Sequence, residues 1–277
     1  MLVDSHCHLQ DRKFSGDLED VIARAAGAGV TAMVTIGYDM PSSRRAVEIA
    51  DEHENVYATI GVHPHDAKTL TPRDLDELAR LADSSRVVAI GETGLDFYRN
   101  LSPPEDQYRA FREQLALARA LSLPAVIHSR DADAETYDVL AEHEQVALPD
   151  WPKDRPLGVM HCFPGDLPLA LRLIERGFVI SIAGPVTYAK SHTTRAVAEG
   201  IPLRWMTLET DAPYLPPQRI RGQRNEPASV LDVAEFVADL RGVSCAEVAD
   251  GTAQTAAWLF GLGDIGAPLT ERAGEAR

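Results

Sequence analysis

The sequence predicts a single α/β domain with the (β/α)8 TIM-barrel fold, and three observations support this prediction. Short apolar runs occur eight times along the chain, and stretches with helical periodicity separate them. Near-continuous apolar runs of this kind are typical of parallel strands covered by helices on their outer face. The chain has 277 residues, which suits one such barrel. An open doubly wound sheet more often carries a glycine-rich phosphate turn after its first strand, and the residues at that point contain no glycine.

The elements follow one another in a regular order. The predicted strands are residues 2–3, 30–36, 56–60, 87–90, 125–127, 157–160, 178–182 and 205–208. The predicted helices between them include residues 18–28, 42–53, 74–83, 105–121, 134–142 and 167–176. Residues 229–241 and 246–260 form two closing helices. We expect the barrel to span residues 1–262 and residues 263–277 to form a flexible tail, because this end is rich in glycine, alanine and charge. Three prolines within residues 147–156 predict an exposed loop before the sixth strand.

Composition and charge limit the function classes. Hydrophobic residues make up 45% of the chain, which is enough for a substantial core. The net charge of −15 argues against tight binding of long duplexes through the general surface. The three cysteines have no paired spacing, so we expect free thiols in a reducing compartment. No apolar run reaches the roughly 18 residues of a membrane helix, and the first residues lack a signal-peptide pattern. We therefore expect a cytoplasmic protein that does not associate with membranes.

Polar residues follow most of the predicted strands at the point where each strand ends. Because the carboxyl ends of all barrel strands meet at one rim, we expect these side chains to lie close together. They are His6 and His8 after the first strand, His63 and His65 after the third, Glu92 after the fourth, His128 after the fifth, His161 after the sixth and Asp211 after the eighth. The other histidines, His53, His143 and His192, have polar neighbours and are predicted to be solvated surface residues.

This rim offers imidazole nitrogens and carboxylate oxygens together. Such a mixed donor set suits zinc, manganese or a similar divalent ion. Six of these residues are the candidate ligands, namely His6, His8, Glu92, His128, His161 and Asp211. They exceed the three that one catalytic zinc usually takes from protein, so we expect two ions, with Glu92 as the bridging ligand. Cys7 and Cys162 each neighbour a predicted ligand. Alternation along a strand turns them to the opposite face, and we interpret both as small core residues of the barrel wall.

Seven motifs carry a resemblance to a known family. They are His6-Cys7-His8, Gly61-Val62-His63-Pro64, Gly91-Glu92-Thr93-Gly94-Leu95-Asp96, His128-Ser129-Arg130, His161-Cys162-Phe163 with Gly165, Glu209-Thr210-Asp211-Ala212-Pro213, and Arg224-Asn225-Glu226-Pro227. In this order, over roughly residues 1–262, the chain resembles the TatD family of metal-dependent deoxyribonucleases, within the metallo-dependent hydrolase superfamily. It departs from the common pattern at Pro164, where serine is frequent, and in its longer proline-rich stretch before His161.

The resemblance implies a ligand set for two divalent ions, which would be zinc, manganese or magnesium. One ion would be held by His6, His8, Glu92 and Asp211. The other would be held by Glu92, His128 and His161. Many relatives in the wider superfamily bridge their metals with a carboxylated lysine on the fourth strand, whereas this chain has Glu92 there.

The expected activity is hydrolysis of DNA phosphodiester bonds, in single strands or at ends, without an obligate protein partner. Asp211 and Glu92 are the predicted catalytic residues, with Asp211 orienting the attacking water and accepting its proton. Substrate contacts are predicted for His63, Arg130 and Arg224. Positive side chains at the rim, such as Arg130, can hold phosphates. For His63 and Arg224, a contact that supports a metal ligand is the alternative. Arg219 and Arg221 are interpreted as ordinary loop charges. The side chains of Phe97, Tyr98 and Tyr214 would either stack bases or pack loops.

Two alternatives remain open from the residues alone. A dinuclear centre also hydrolyses acyl bonds, so an ester, a lactone or an aminoacyl-tRNA is a second substrate class. A third possibility is a non-catalytic metal-binding scaffold, although the predicted ligand set is complete.

Overall fold

The structure, a computed structural model, describes residues 1–147, 151–152 and 155–263. Residues 148–150 and 153–154 of the predicted loop and residues 264–277 of the predicted tail lie outside the described residues. Within the same proline-rich stretch, Trp151 is buried in the core, and its Nε1 donates to the Arg155 carbonyl oxygen at 2.9 Å. The prediction of an exposed loop is therefore wrong at Trp151, because the indole ring packs inward.

The described residues form one sheet of eight parallel strands, joined in sequence order. The strands are β1 (Leu2–Cys7), β2 (Val30–Ile36), β3 (Val56–Ile60), β4 (Val87–Asp96), β5 (Ala125–Arg130), β6 (Gly158–Met160), β7 (Phe178–Ile182) and β8 (Met206–Leu208). A parallel bridge between Cys7 and Ala212 joins the two ends of the sheet. The predicted (β/α)8 barrel is confirmed.

Helices surround this sheet and connect successive strands. They are α1 (Leu18–Gly27), α2 (Met40–Glu52), α3 (Pro72–Leu81), α4 (Pro104–Leu121), α5 (Asp133–Ala147), α6 (Leu167–Glu175), α7 (His192–Gly200), α8 (Val230–Arg241) and α9 (Cys245–Phe260). Short 3-10 helices span Arg12–Phe14, Pro64–Thr69, Gly184–Thr187, Leu203–Trp205, Gln218–Ile220 and Pro227–Ser229. No described helix combines the length and the apolar character that crossing a membrane requires.

Helix starts follow local capping chemistry at several points. Asp39 accepts a hydrogen bond from the Ser42 backbone N–H at the start of α2, and the Ser42 hydroxyl in turn accepts from the Asp39 N–H. Thr71 and Asp74 make the same reciprocal pair at the start of α3. Both pairs satisfy N–H groups that the first turn of a helix leaves without partners.

The helix α9 closes the end of the barrel opposite to the rim. Its residues Leu259 and Phe260 share an apolar cluster with valines that are each the second residue of a strand. These valines are Val3, Val88, Val126, Val159 and Val179. Apolar side chains thus fill the barrel at the amino ends of the strands, whereas the candidate ligands lie toward the carboxyl ends.

Three strands extend beyond their predicted ends, and this changes where the candidate ligands lie. Strand β1 includes His6, β4 includes Glu92 and β5 includes His128. These residues were predicted just past their strands, but they lie within them. Glycines allow the close approach of β4 and β5: Gly94 is paired with His128 at a φ of +144°, and a Cβ there would lie 2.0 Å from the His128 carbonyl oxygen.

Candidate metal centre

The carboxyl ends of the strands surround a cavity of about 470 Å³. Five of the six predicted ligands line this cavity, namely His8, Glu92, His128, His161 and Asp211. The predicted substrate residues His63 and Arg130 line it as well. The sixth predicted ligand, His6, is fully buried beside them, and its ring stacks on that of His161 with 3.5 Å between the centroids.

Backbone pairing between the first and last strands fixes two candidate ligands. The Asp211 N–H donates to the His6 carbonyl oxygen at 2.8 Å, and the His8 N–H donates to the Ala212 carbonyl oxygen at 2.7 Å. Asp211 has a φ of +56°, a left-handed conformation that aspartate tolerates better than most residues. This turn directs the Asp211 carboxylate to the side chain of His8, with 3.2 Å between Oδ1 and Nε2.

Glu92 lies at the centre of the cluster. Its Oε1 lies 2.9 Å from His128 Nδ1, 3.5 Å from His63 Nε2 and 3.8 Å from His161 Nε2. Its other oxygen, Oε2, lies 3.6 Å from His6 Nε2. One carboxylate thus faces imidazoles with both of its oxygens, which is the arrangement that a bridging ligand requires.

The donor atoms form three overlapping groups, each within 4.8 Å. The groups are His6, His161 and Asp211; His6, His8 and Glu92; and His63, Glu92 and His128. All six predicted ligands occur in at least one group. His63 also occurs in one, although the sequence analysis did not predict it as a metal ligand.

The chemistry of His6 supports a divalent ion at this position. Both ring nitrogens of His6 are buried and find no hydrogen-bond partner among the residues that the structure describes. Such groups are costly unless something satisfies them. Its Nε2 lies 3.6 Å from both Glu92 Oε2 and Asp211 Oδ1, which is too long for a hydrogen bond. An imidazole nitrogen facing two carboxylates across such a gap fits a metal ion between them.

Burial and the neighbouring carboxylates shift the pKa values of the histidines in this cluster in opposite directions. Burial lowers the pKa of His6 well below its usual value, and repulsion from His161 acts in the same direction. Burial also lowers the pKa of His63 to about 4. Burial opposes ionisation of Glu92, but attraction from His63 and His161 outweighs it and holds the Glu92 pKa well below its usual range. Burial also opposes protonation of His8, His128 and His161, but neighbouring carboxylates outweigh it and raise the pKa of all three, that of His161 to about 10. Binding of a divalent ion would displace the protons from these rings.

Two further carboxylates approach candidate ligand histidines at the ring nitrogen that does not face Glu92. The sequence analysis assigned no role to either of them. Asp96 Oδ2 lies 3.3 Å from His128 Nε2 and 2.8 Å from His65 Nε2. Glu209 Oε1 lies 2.8 Å from His161 Nδ1, in an approach too oblique for a regular hydrogen bond. Glu209 also accepts from the Cys162 N–H and the Ser181 hydroxyl. Carboxylates in this position orient metal-binding histidines, and the motifs around Glu92 and Asp211 contain both residues.

A buried aspartate supports the turn that carries Asp211. Asp4 is fully buried and accepts hydrogen bonds from the Thr210 N–H at 2.9 Å and the Thr210 hydroxyl at 2.5 Å. Burial raises the pKa of Asp4 to about 8, although the hydrogen bonds from Thr210 oppose the shift. Asn225 donates to the Thr210 carbonyl oxygen from the other side. The last strand end is thus fixed by buried polar contacts.

Arg224 lies outside the residues that line the cavity. Its guanidinium donates to both Asp17 oxygens and to Glu226, and it lies over the Phe14 ring. These contacts engage the Arg224 guanidinium with carboxylates, and its predicted contact with substrate stays a prediction. Arg219 pairs with Asp232, as expected of a loop charge.

The assignments of three other residues from the sequence need correction. His143 is buried in α5 and His53 is half-buried beside Glu19, whereas both were predicted to be solvated; His192 is exposed as predicted. Cys7 is a core residue of β1 as expected, but Cys162 lies past the end of β6 with a φ of +41° and is partly exposed. The strand ends at Met160, so alternation does not reach Cys162.

A parallel barrel with imidazole and carboxylate donors converging at its rim defines the class of metal-dependent hydrolases of the (β/α)8 type. Within that class, the model of the TatD related DNase family matches residues 3–261. The chain belongs to this family.

Relatives of known name agree with this assignment. The uncharacterized metal-dependent hydrolase YabD of Bacillus subtilis is 39% identical over 260 residues, covering 94% of this chain and 99% of that protein. The 3′-5′ ssDNA/RNA exonuclease TatD of Salmonella typhimurium is 36% identical over 266 residues, covering 94% and 98%. The crystal structure of the Escherichia coli TatD homologue YJJV matches with a TM-score of 0.86 at 32% identity, covering 94% and 98%. The protein is a metal-dependent hydrolase.

Proposed function

We propose that the protein is an exonuclease that removes nucleotides from the 3′ ends of single-stranded DNA or RNA, using two divalent metal ions. The observation that carries the proposal is the position of Glu92, whose two oxygens face candidate ligands on both sides. The name of the Salmonella typhimurium relative, which is 36% identical, supports the substrate class and the polarity. A cytoplasmic location and independence from a protein partner stay predictions.

The proposed ligand set is the one that the family resemblance implies, with His6, His8, Glu92 and Asp211 for the first ion and Glu92, His128 and His161 for the second. The donor groups at the rim support this set only in part, because they place His161 with His6 and Asp211. His63 is a further candidate for the second ion, because it groups with Glu92 and His128. The abundance of imidazole donors favours zinc or manganese over magnesium, which prefers oxygen ligands.

The ions would supply a water that is reactive at neutral pH and positive charge beside the phosphate oxygens. The side chains then define the remaining chemistry. Asp211 reaches the cavity and would hold the attacking water and accept its proton. A bond forms between the water oxygen and phosphorus, and the bond from phosphorus to the 3′ oxygen of the shortened strand breaks. The proton passes from Asp211 to that leaving oxygen. His63 and Arg130 line the cavity where they would contact the substrate.

The test combines metal content with cleavage. Elemental analysis of the purified protein identifies the bound metals, and single-stranded oligonucleotides labelled at either end report activity and polarity with added Mg²⁺, Mn²⁺ or Zn²⁺. We expect Glu92→Ala to lose metal and cleavage together. Glu175→Ala, an exposed carboxylate at the end of α6, is the matched control and should behave as wild type.

Other outcomes would separate the alternatives. A panel of esters, lactones and aminoacyl-tRNA tests acyl hydrolysis under the same conditions. Faster turnover of an acyl substrate than of any oligonucleotide would contradict the nuclease assignment. Full metal content and full cleavage by Glu92→Ala would contradict the bridging role.

A further inference from the structure

Two arginines, Arg99 and Arg130, line the cavity on the side of β4 and β5. Neither guanidinium has an ion pair or a hydrogen bond with another residue of the described part of the chain. The whole chain has a net charge of −15, so cations without carboxylate partners at this cavity are notable. Their charge remains available to an anion that enters the cavity.

Arg130 is held by an aromatic ring. Its Cζ atom lies 3.9 Å from the centre of the Tyr98 ring. Stacking of this kind uses the flat face of the guanidinium and leaves its N–H donors, which point outward in the plane, free for an oxyanion. Tyr98 is 61% exposed, which is unusual for a large side chain. Contact with Arg130 gives this exposed ring a role.

Strand register places the two side chains together. Arg130 is the register partner of Asp96, and the Phe97 N–H donates to the Arg130 carbonyl oxygen at 2.9 Å. Tyr98 follows directly. The buried side chain of Gln107 then fixes the loop after β4, because it bonds the backbone of both Asp96 and Ser102. Tyr98 thus lies in a loop whose backbone is held by side-chain hydrogen bonds.

The position of Arg130 along β5 separates it from the metal centre. It lies two residues after His128, on the same strand face. Two residues of a strand span about 6–7 Å, so Arg130 lies further out along the rim than the candidate ligand. A group bound by Arg130 is therefore a neighbour of the group that the ions hold.

We propose that Arg130 and Arg99 form a second phosphate site, which binds the phosphodiester next to the scissile one, and that Tyr98 positions Arg130 for it. This inference rests on the proposed nuclease function for its substrate class. It makes a nucleic-acid chain a better substrate than an isolated phosphodiester, because only the chain carries a second phosphate.

Binding to the metal-loaded enzyme tests the site directly. The probe is a fluorescent oligothymidylate with phosphorothioate linkages, followed by anisotropy at several salt concentrations. Arg130→Gln should weaken binding about tenfold and reduce the slope of log Kd against log salt by about 0.7, the value for one phosphate contact on a single strand. Tyr98→Leu should weaken binding about two- to fivefold, in line with an exposed cation–π contact. Tyr98→Phe keeps an aromatic ring and should bind with the affinity of wild type.

Arg221→Gln is the matched control. Arg221 is also exposed and lies over a tyrosine ring, at 4.7 Å from that of Tyr188, but it does not line the cavity. It should change neither the affinity nor the salt slope. Equal effects of Arg221→Gln and Arg130→Gln would mean that Arg130 acts only through the overall charge of the protein, and this result would overturn the proposal.

Kinetics separate this inference from the proposed function. We expect Arg130→Gln to raise KM for an oligonucleotide at least tenfold more than KM for bis(p-nitrophenyl) phosphate, which has a single phosphodiester. If wild type cleaves both substrates and the variants lose both equally, the second phosphate site is wrong while the nuclease function stands. If wild type cleaves no phosphodiester but the salt slope still falls in Arg130→Gln, the phosphate site stands and the nuclease function is wrong.

Discussion

At the scale of single residues, Glu209 and Asp96 show that the candidate metal centre includes carboxylates that contact its histidines without being predicted ligands. Glu209 contacts His161 Nδ1, and Asp96 contacts His128 Nε2. In each case the other ring nitrogen faces Glu92. A ligand histidine held on its far side has a fixed ring orientation and a more basic donor nitrogen.

Glu209→Gln is expected to weaken metal binding about 10- to 100-fold, because the amide keeps the shape of the side chain but loses the charge that holds His161. Competition with a chromophoric chelator measures the affinity, and the circular dichroism spectrum checks that the fold is retained. Glu175→Gln at the end of α6 is the control. An unchanged metal affinity in Glu209→Gln would show that His161 does not depend on this contact.

Gly94→Ala is expected to reduce the free energy of unfolding by about 3 kcal/mol or more, since strain and overlap add. The new Cβ would lie 2.0 Å from the backbone of β5, at a φ of +144°. Gly222→Ala is the control, because its φ is +90° and nothing lies within 4 Å of a Cβ there. It should lose only about 1–2 kcal/mol. Urea unfolding measures both, and equal losses would contradict the steric explanation.

Some residues of the site could be identified from the sequence because of the residues that surround them, and others could not. His6, His8, Glu92, His128 and Asp211 stand out because a polar residue ends or interrupts an apolar run. Asp96 and Glu209 do not stand out, because a carboxylate that supports a histidine looks like any turn residue until the barrel brings the two together. The partners of Arg224 were invisible for the same reason, since Asp17 is distant in sequence.

At the scale of elements, apolar runs predicted where strands begin better than where they end. The predicted start of β4 at residue 87 agrees with the structure, but the strand continues to Asp96 through Glu92 and Thr93. Thr93 breaks the apolar pattern while its backbone pairs with Ile127 of β5. Glu92 falls in an irregularity of this pairing, and its N–H donates to the Gly37 carbonyl oxygen at 2.9 Å. Ser102 shows a similar limit. A serine just before a helix is a typical N-cap residue, yet the Ser102 hydroxyl donates to the His65 carbonyl oxygen, and Pro103 occupies the cap position of α4.

His143 makes α5 sensitive to pH. Burial lowers its pKa to about 4, and the charge of Arg119 adds to the shift. The unfolded chain has a His pKa near 6.5, so between these values the unfolded state binds the proton more strongly. Stability from neutral His143 is present above about pH 6.5 and is lost as the pH falls toward 4. The expected loss is about 2–3 kcal/mol.

His143→Gln tests this assignment, because the amide stays uncharged. Unfolding by urea from pH 7 to pH 4.5 should show a smaller decline of stability in the variant than in wild type. The exposed residue His192 provides the control His192→Gln, whose decline should equal that of wild type. A variant curve parallel to the wild-type curve would mean that His143 is not the group responsible.

At the scale of the whole molecule, the barrel could be predicted because eight repeated units leave few ways to cover eight apolar strands. The particular contacts that close it could not be predicted. The sheet closes between β1 and β8 through an isolated bridge from Cys7 to Ala212, and α9 fills the opposite end. Both features join residues from the two ends of the chain, whose approach no local pattern encodes.

The proposed first ion would lie across this seam, since His6 and His8 belong to the β1 side and Asp211 to the β8 side. A ligand that binds only the folded state stabilises it by about 2.7 kcal/mol at 100 times its Kd. We therefore expect chelation to lower Tm by several degrees and to speed hydrogen exchange at the Asp211 and His8 amides, which bond across the seam.

Amides between β6 and β7 serve as the internal reference for this experiment, because candidate ligands do not bridge these strands. Glu92→Gln should respond little to chelator, since it lacks the bridging carboxylate, whereas Glu175→Gln should respond as wild type does. An equal increase of the hydrogen-exchange rate in all strands would mean that the metal stabilises the barrel as a whole and not the seam in particular. An unchanged Tm after removal of metal, verified by elemental analysis, would mean that the ions serve catalysis without closing the barrel.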